Sequence, residues 1–254
     1  MNKRIKILNT EIDAVQVEDV MKLLYEFLKN KNHFYYMNSA NANNVINAVE
    51  SKKYEGVMSS ADLNLPDSVP FLWLGRWSGY RLLNRCGIQE IMEAVFNKSS
   101  GNIKYRHYFY GNTDKVLKKM KIQLLKKYPN LNIVGMYSPP FRNLSKEEDR
   151  NIINKINDAN PDFLWVSLGC PKQEEWIYDH RSSLNPMVAG GAGAVFNFIA
   201  GETKRAPKLI QKLGLEWLYR LCLNPKKLSN RYLVKYPKFV YLFIKHHILG
   251  VDYK

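Results

Sequence analysis

The stretch Phe163-Leu-Trp-Val-Ser-Leu-Gly-Cys-Pro-Lys-Gln-Glu-Glu-Trp176 decides the fold. Its first six residues are an apolar run of strand length. A glycine follows, and Pro171 stands where a helix begins, because its fixed φ and missing N–H suit a first helical turn. A buried strand that turns directly into a helix is the repeating unit of a parallel α/β sheet. The alternation continues outward. Arg4–Leu8, Phe34–Met37, Tyr105–Tyr110 and Asn132–Met136 read as strands, and Asp62-Leu-Asn-Leu-Pro-Asp67 as a strand ending in a loop. Helical patterns occupy 17–29, 41–50 and 114–128, and Ser145 with Glu148 forms a capping box that opens another helix. Such a sheet binds ligands beyond the carboxyl ends of its strands. That singles out Asn38, Asp67, Asn112, Tyr137, Gly169, Gly190 and Gly191.

Composition limits the chemistry. The 254 residues are 46% hydrophobic, enough for a real core, and carry a formal net charge of +15. That charge calls for an anionic partner: nucleic acid, an anionic membrane surface or a phosphorylated substrate. It is concentrated in residues 201–254, where twelve basic residues face three acidic ones. We therefore divide the chain into an α/β body, 1–200, and a basic, aromatic appendage, 201–254. The three cysteines show no CxxC spacing and read as thiols of a reducing compartment. The start has no signal-peptide pattern, and the run Phe239–Ile244 is far short of the roughly 20 apolar residues that span a bilayer. The expectation is a cytoplasmic protein that lies on a membrane without crossing it. The five histidines form no ligand set and no Asp-x-Asp is present, so neither a metal nor a cofactor is expected.

The appendage has its own pattern. On a helix from Arg231 to Lys245, residues 231, 235, 238 and 245 make a basic stripe beside an aromatic one of Tyr232, Tyr236, Phe239 and Phe243. Pro237 is expected to kink or interrupt it. The two stripes together suit a helix lying in a membrane interface; the alternative is that the aromatics pack on the body and the lysines are solvated. Just upstream, Ala189–Pro207 places three glycines after a strand, then Asn197 between two phenylalanines, then Lys204 and Arg205. Glycines there let backbone amides approach a phosphate. Lys172 and the amides after Pro171 offer a similar anion site at a helix start.

Several motifs line up in order: Asn38 after a strand, Leu-Pro-Asp67, Gly135-Met-Tyr-Ser-Pro-Pro-Phe141, Leu168-Gly-Cys-Pro-Lys-Gln-Glu-Glu-Trp176, Gly190–Gly201, Arg205-Ala-Pro207 and Gly214-Leu-Glu-Trp-Leu-Tyr-Arg220. Over essentially the whole chain they resemble the WecG/TagA/CpsF family of bacterial glycosyltransferases (glycosyltransferase family 26). The resemblance implies a Rossmann-like, mostly parallel body of GT-E type, with a C-terminal helical appendage that reaches the membrane. It implies inverting transfer of a sugar from a UDP-sugar to a polyprenyl-pyrophosphate-linked saccharide, in teichoic acid or other surface polysaccharide synthesis. Homo-oligomerisation is left open. The implied base is Asp67. Arg205, Arg220, Lys227 and Arg231 would meet the diphosphate, while Asn38, Tyr137, Gly169, Lys172, Gln173, Gly190, Gly191 and Asn197 would bind the nucleotide-sugar.

The chain also departs from the family pattern. Ser68 replaces the glycine after the base, Asn197 an aspartate, and Gln89 the aspartate of a Gly-x-Asp. Lys227 and Asn230 stand for arginines, and Tyr36 for a threonine. An inactive, scaffold-like member is therefore a rival reading. A nucleic-acid binder would fit the charge, but no helix-turn-helix, zinc-finger or RNP-like motif accompanies it. A dinucleotide oxidoreductase would need a GxGxxG after the first strand, and none is there.

Overall fold

Strand β7 (Phe163–Ser167) is buried at every position, with Phe163 and Trp165 directed to one face of the sheet and Leu164 and Val166 to the other. Only a strand covered on both sides tolerates such a run. The computed structural model describes residues 3–30, 33–77, 79–80, 84–101, 103–185, 187–204, 206–207, 209–210 and 215–250, with 227 and 248 by backbone alone.

Around β7 lies a six-stranded sheet whose neighbours all pair in parallel. It comprises β3 (Tyr35–Ala40), β4 (Leu63–Pro66), β5 (Arg106–Gly111), β6 (Asn132–Tyr137), β7 and β8 (Val188–Gly191), in the order β4-β3-β8-β7-β5-β6. One face carries α1 (Val17–Asn30), α5 (Ile88–Ser99), α6 (Asp114–Lys127) and α9 (Val195–Ile199), with Phe96, Phe109, Trp165 and Phe196 in the core between. The other face carries α7 (Lys146–Ala159) and α8 (Lys172–His180) over Tyr110, Leu164 and Val166. The capping box of α7 is present: Ser145 Oγ accepts from Glu148 N, and the Glu148 carboxylate accepts from Ser145 N.

The first strand does not join this sheet. β1 (Arg4–Ile7) pairs antiparallel with β2 (Thr10–Asp13), a strand the sequence reading missed. The hairpin is fastened to β4 through Asp13, whose carboxylate accepts from Asn64 N at 2.8 Å and from Arg4 Nε at 3.0 Å. A third core cluster then forms among the hairpin, α2 (Ala42–Glu50), α3 (Lys52–Ser59), α4 (Val69–Trp77) and the appendage.

The appendage corrects two expectations. Its aromatic stripe faces the body: Tyr232 and Phe239 are buried, Tyr236 and Phe243 pack partly buried against the same core, and Phe239 lies on Phe71 of α4 with ring centroids 5.6 Å apart. Its basic stripe is engaged as well, because Lys238 reaches Glu50 at 2.6 Å, Lys235 meets Asn47 and Glu50, and Arg231 turns into the sheet's open end. The aromatic stripe is therefore a docking surface, and Arg231, Lys235 and Lys238 of the basic stripe are held by the body. Pro237 does not interrupt the helix. It sits in the first turn of Tyr236–Phe243, directly after the wide π-type turns of Asn230–Lys235, where Tyr236 N reaches back five residues to Arg231 O. The wider winding makes room for a ring that would clash in a regular α-turn.

Candidate active site

A cleft of about 1250 Å³ opens at the carboxyl ends of β3, β4, β5, β7 and β8, where doubly wound sheets place their ligands. Asp67 follows β4 directly. Its amide donates to Ala40 O at 3.0 Å, and the segment that opens α5 crosses close behind it, Cys86 N donating to Pro66 O at 3.0 Å. Gly87 makes that approach feasible, since a Cβ there would lie 2.3 Å from Asp67 Oδ1. Burial pushes the Asp67 carboxyl up to about 6; Arg85 and Arg231 oppose that, while Glu90 and Glu216 add to it. Arg85 holds the group together, 3.6 Å from Asp67, 3.2 Å from Glu90 and 3.1 Å from Glu216. Glu216 belongs to the appendage helix Glu216–Leu223, so one guanidinium joins the two parts of the chain.

From the appendage Arg220 and Arg231 also line the cleft. The Arg220 guanidinium lies over the Phe198 ring at 5.6 Å. Arg231 donates to Asn41 Oδ1 at 3.4 Å, while its Nε is buried without a partner. Asp67, Arg220 and Arg231 are thus brought together. So are Gly169, Lys172, Gln173, Gly191 and Asn197, all on the cleft wall. Gln173 has an organising task there. Its Oε1 accepts from Gly169 N at 3.2 Å and from Gly193 N at 3.0 Å, tying the ends of β7 and β8 together.

Three expected residues are not on that wall. Asn38 is wholly buried on the side of the sheet facing α3, where its amide donates to Val57 O at 3.4 Å. Side chains alternate along a strand, so Asn38 shares the face of Tyr36, whose hydroxyl donates to Val57 O. Ser39 and then Asn41, Asn43 and Asn44 at the start of α2 reach the cleft instead. Tyr137 stacks on Tyr110 at 6.3 Å with Lys155 over its ring, and Tyr110 is the one that lines the cleft. Gly190 serves packing: a Cβ would meet Ile88 Cδ1 at 3.0 Å, so it sets the distance from α5 to the sheet. Arg205 and the side chain of Lys227 lie outside the described residues.

The sequence reading overlooked Arg85, Glu90, Glu216 and Glu174. Glu90 carried a weak signal, because a glutamate in the first turn can reach back to the amide three residues before it, here Gly87 N at 3.1 Å. Glu174 lies in a quoted motif but was not singled out. Burial pushes it up to about 7, with Gln173, Cys170 and Arg231 opposing.

This assembly, a half-buried carboxylate and converging arginines at the open end of a parallel sheet, suits proton abstraction beside a departing diphosphate. The model of the family described as "Glycosyl transferase WecG/TagA/CpsF family" matches residues 5–251. Among curated relatives, the N-acetylglucosaminyldiphosphoundecaprenol N-acetyl-beta-D-mannosaminyltransferase of Bacillus spizizenii is 32% identical over 199 residues, 78% of this chain and 74% of the relative. The enzyme of the same name from Staphylococcus aureus is 25% identical over 243 residues, 95% and 92% of the two chains. The chain belongs to the WecG/TagA/CpsF family of glycosyl transferases.

Proposed function

We propose that the protein transfers an N-acetylhexosamine from a UDP-sugar to a saccharide linked through diphosphate to a polyprenol, with inversion at the anomeric carbon. The acceptor chemistry is taken from the relatives' names. The observation that carries the reading is Asp67, half-buried at the end of β4, 3.6 Å from Arg85 and on the wall of the cleft that Arg231 also lines. The acceptor hydroxyl oxygen bonds to the anomeric carbon as the bond to the diphosphate oxygen breaks. The hydroxyl proton passes to the Asp67 carboxylate, and UDP leaves with the electron pair. Arg220 and Arg231 supply positive charge where the diphosphate charge grows, and no metal or cofactor is assigned.

Turnover of UDP-N-acetylmannosamine with a lipid-diphosphate N-acetylglucosamine tests this, with EDTA present and across pH 4.5–8. Asp67 must be ionised to accept the proton, so kcat/KM falls about tenfold per pH unit below pH 6 and levels off above it. Absence of product with every UDP-sugar supplied would overturn the reading.

The location proposed is the surface of the membrane that holds the acceptor. No helix among the described residues is long and apolar enough to cross a membrane. The outer faces of α4 and the appendage border each other through the Phe71–Phe239 contact. They expose Trp73 (62%), Trp77 (78%), Val240 and Tyr241. Tryptophan favours the headgroup boundary, and the basic appendage favours anionic lipid. Replacing Trp73 and Trp77 together by alanine lowers binding to phosphatidylglycerol vesicles at least fivefold in co-sedimentation; undiminished binding would remove α4 from the contact.

A further inference from the structure

The cleft wall holds a fully buried carboxyl that the proton transfer does not use. Glu174 stands in the first turn of α8 and is 2% exposed. Its Oε1 accepts from Gln173 Nε2 at 2.8 Å, but its Oε2 is buried with no partner although the residue lines the cleft. A glutamate near a helix N-terminus is favoured by the dipole even on the surface, so the dipole does not account for its burial. A buried carboxylate oxygen without a donor is costly, and such an atom marks a place where a ligand supplies one.

The surroundings define the ligand. Glu174, Arg231 and Asp67 line the same cleft, so this carboxyl faces the space in which the reaction is placed. The Cys170 thiol accepts from Asn43 Nδ2 at 3.4 Å and faces Asn44 Oδ1 at 3.8 Å, so the adjoining wall is made of neutral amides. A carboxyl repels phosphate. Neutral amides both donate and accept, as pyranose hydroxyls do.

We infer that Glu174 is a sugar-recognition residue whose Oε2 accepts a hydrogen bond from a hydroxyl of one of the two hexose rings that meet in the cleft. The inference rests on the glycosyl-transfer reading above. It differs from the base assignment in kind, because Glu174 gains and loses no bond during turnover and acts on affinity for the sugar alone.

Calorimetric titration of the full chain and of Glu174→Gln tests it, using UDP, UDP-N-acetylmannosamine and farnesyl-diphosphate N-acetylglucosamine as probes. The substitution keeps size and the Gln173 contact while removing the charge. Affinity for UDP stays within twofold, and affinity for one of the two sugar ligands falls about tenfold or more. Loss on the nucleotide-sugar assigns the contact to the donor ring, and loss on the lipid diphosphate to the acceptor ring. The analogue of that ligand lacking the contacted hydroxyl binds both proteins equally. Unchanged affinity for both sugars, or an equal loss for UDP itself, would overturn the inference. Should the glutamine variant not fold, Glu174→Asp, which withdraws the oxygens by one methylene, is read by the same outcomes. If the unsubstituted protein binds neither UDP nor UDP-sugar, the transfer reading falls first.

Discussion

Asp67→Asn lowers kcat about a thousandfold, within the range that a positioned general base contributes, and leaves KM for the nucleotide-sugar nearly unchanged. The amide keeps the shape of the carboxyl but accepts no proton. Arg85 retains Glu90 at 3.2 Å and Glu216 at 3.1 Å, so the surrounding ion-pair network persists and the fold tolerates the change. The residual activity loses the decline below pH 6, because the group responsible has been removed. Single-turnover assays with saturating donor separate this from slow product release. Full activity in a folded asparagine variant would place the base elsewhere.

Arg231→Gln lowers kcat by about 10²–10³, the size of effect seen when one preorganised donor to a developing oxyanion is removed. The side chain enters the cleft from the appendage and is positioned on Asn41 Oδ1 at 3.4 Å. Asn41 also caps α2 by accepting from Asn43 N and Asn44 N, so the guanidinium is aimed by a rigid element. Arg231→Lys recovers only part of the loss, since an ammonium cannot offer the paired donors of a planar fork. A loss confined to KM, with kcat intact, would mean that Arg231 binds ground state and transition state alike.

The sequence made the α/β frame readable because burial on both faces leaves continuous apolar runs, as in Phe163–Leu168, and because caps such as Ser145 with Glu148 act locally. β2 escaped because Thr10–Asp13 is four residues with two acids, and one of them, Asp13, is buried against Arg4 of the paired strand and Asn64 far along the chain. The cleft wall was legible where a motif puts a residue after a strand, as with Asp67 and Gly169. It failed at Asn38, where the parity of the strand decides which side of the sheet a residue faces. It also missed Arg85, because nothing local shows that one arginine will collect carboxylates from residues 67, 90 and 216. The two stripes of the appendage were correctly drawn, but amphipathicity names two faces without saying which of them meets protein.

The single oxygen of Gln173 that accepts from both Gly169 and Gly193 has a consequence for affinity. Two glycine loops on separate strands would each have to be immobilised by an incoming nucleotide, and that lost freedom would subtract from binding. Joined at one atom, they are immobilised when the chain folds, and a nucleotide bound there would meet a surface already at rest. On the transfer reading proposed above, turnover then depends less on the ligand's grip on the loops, and release of UDP would not wait for them to close and reopen.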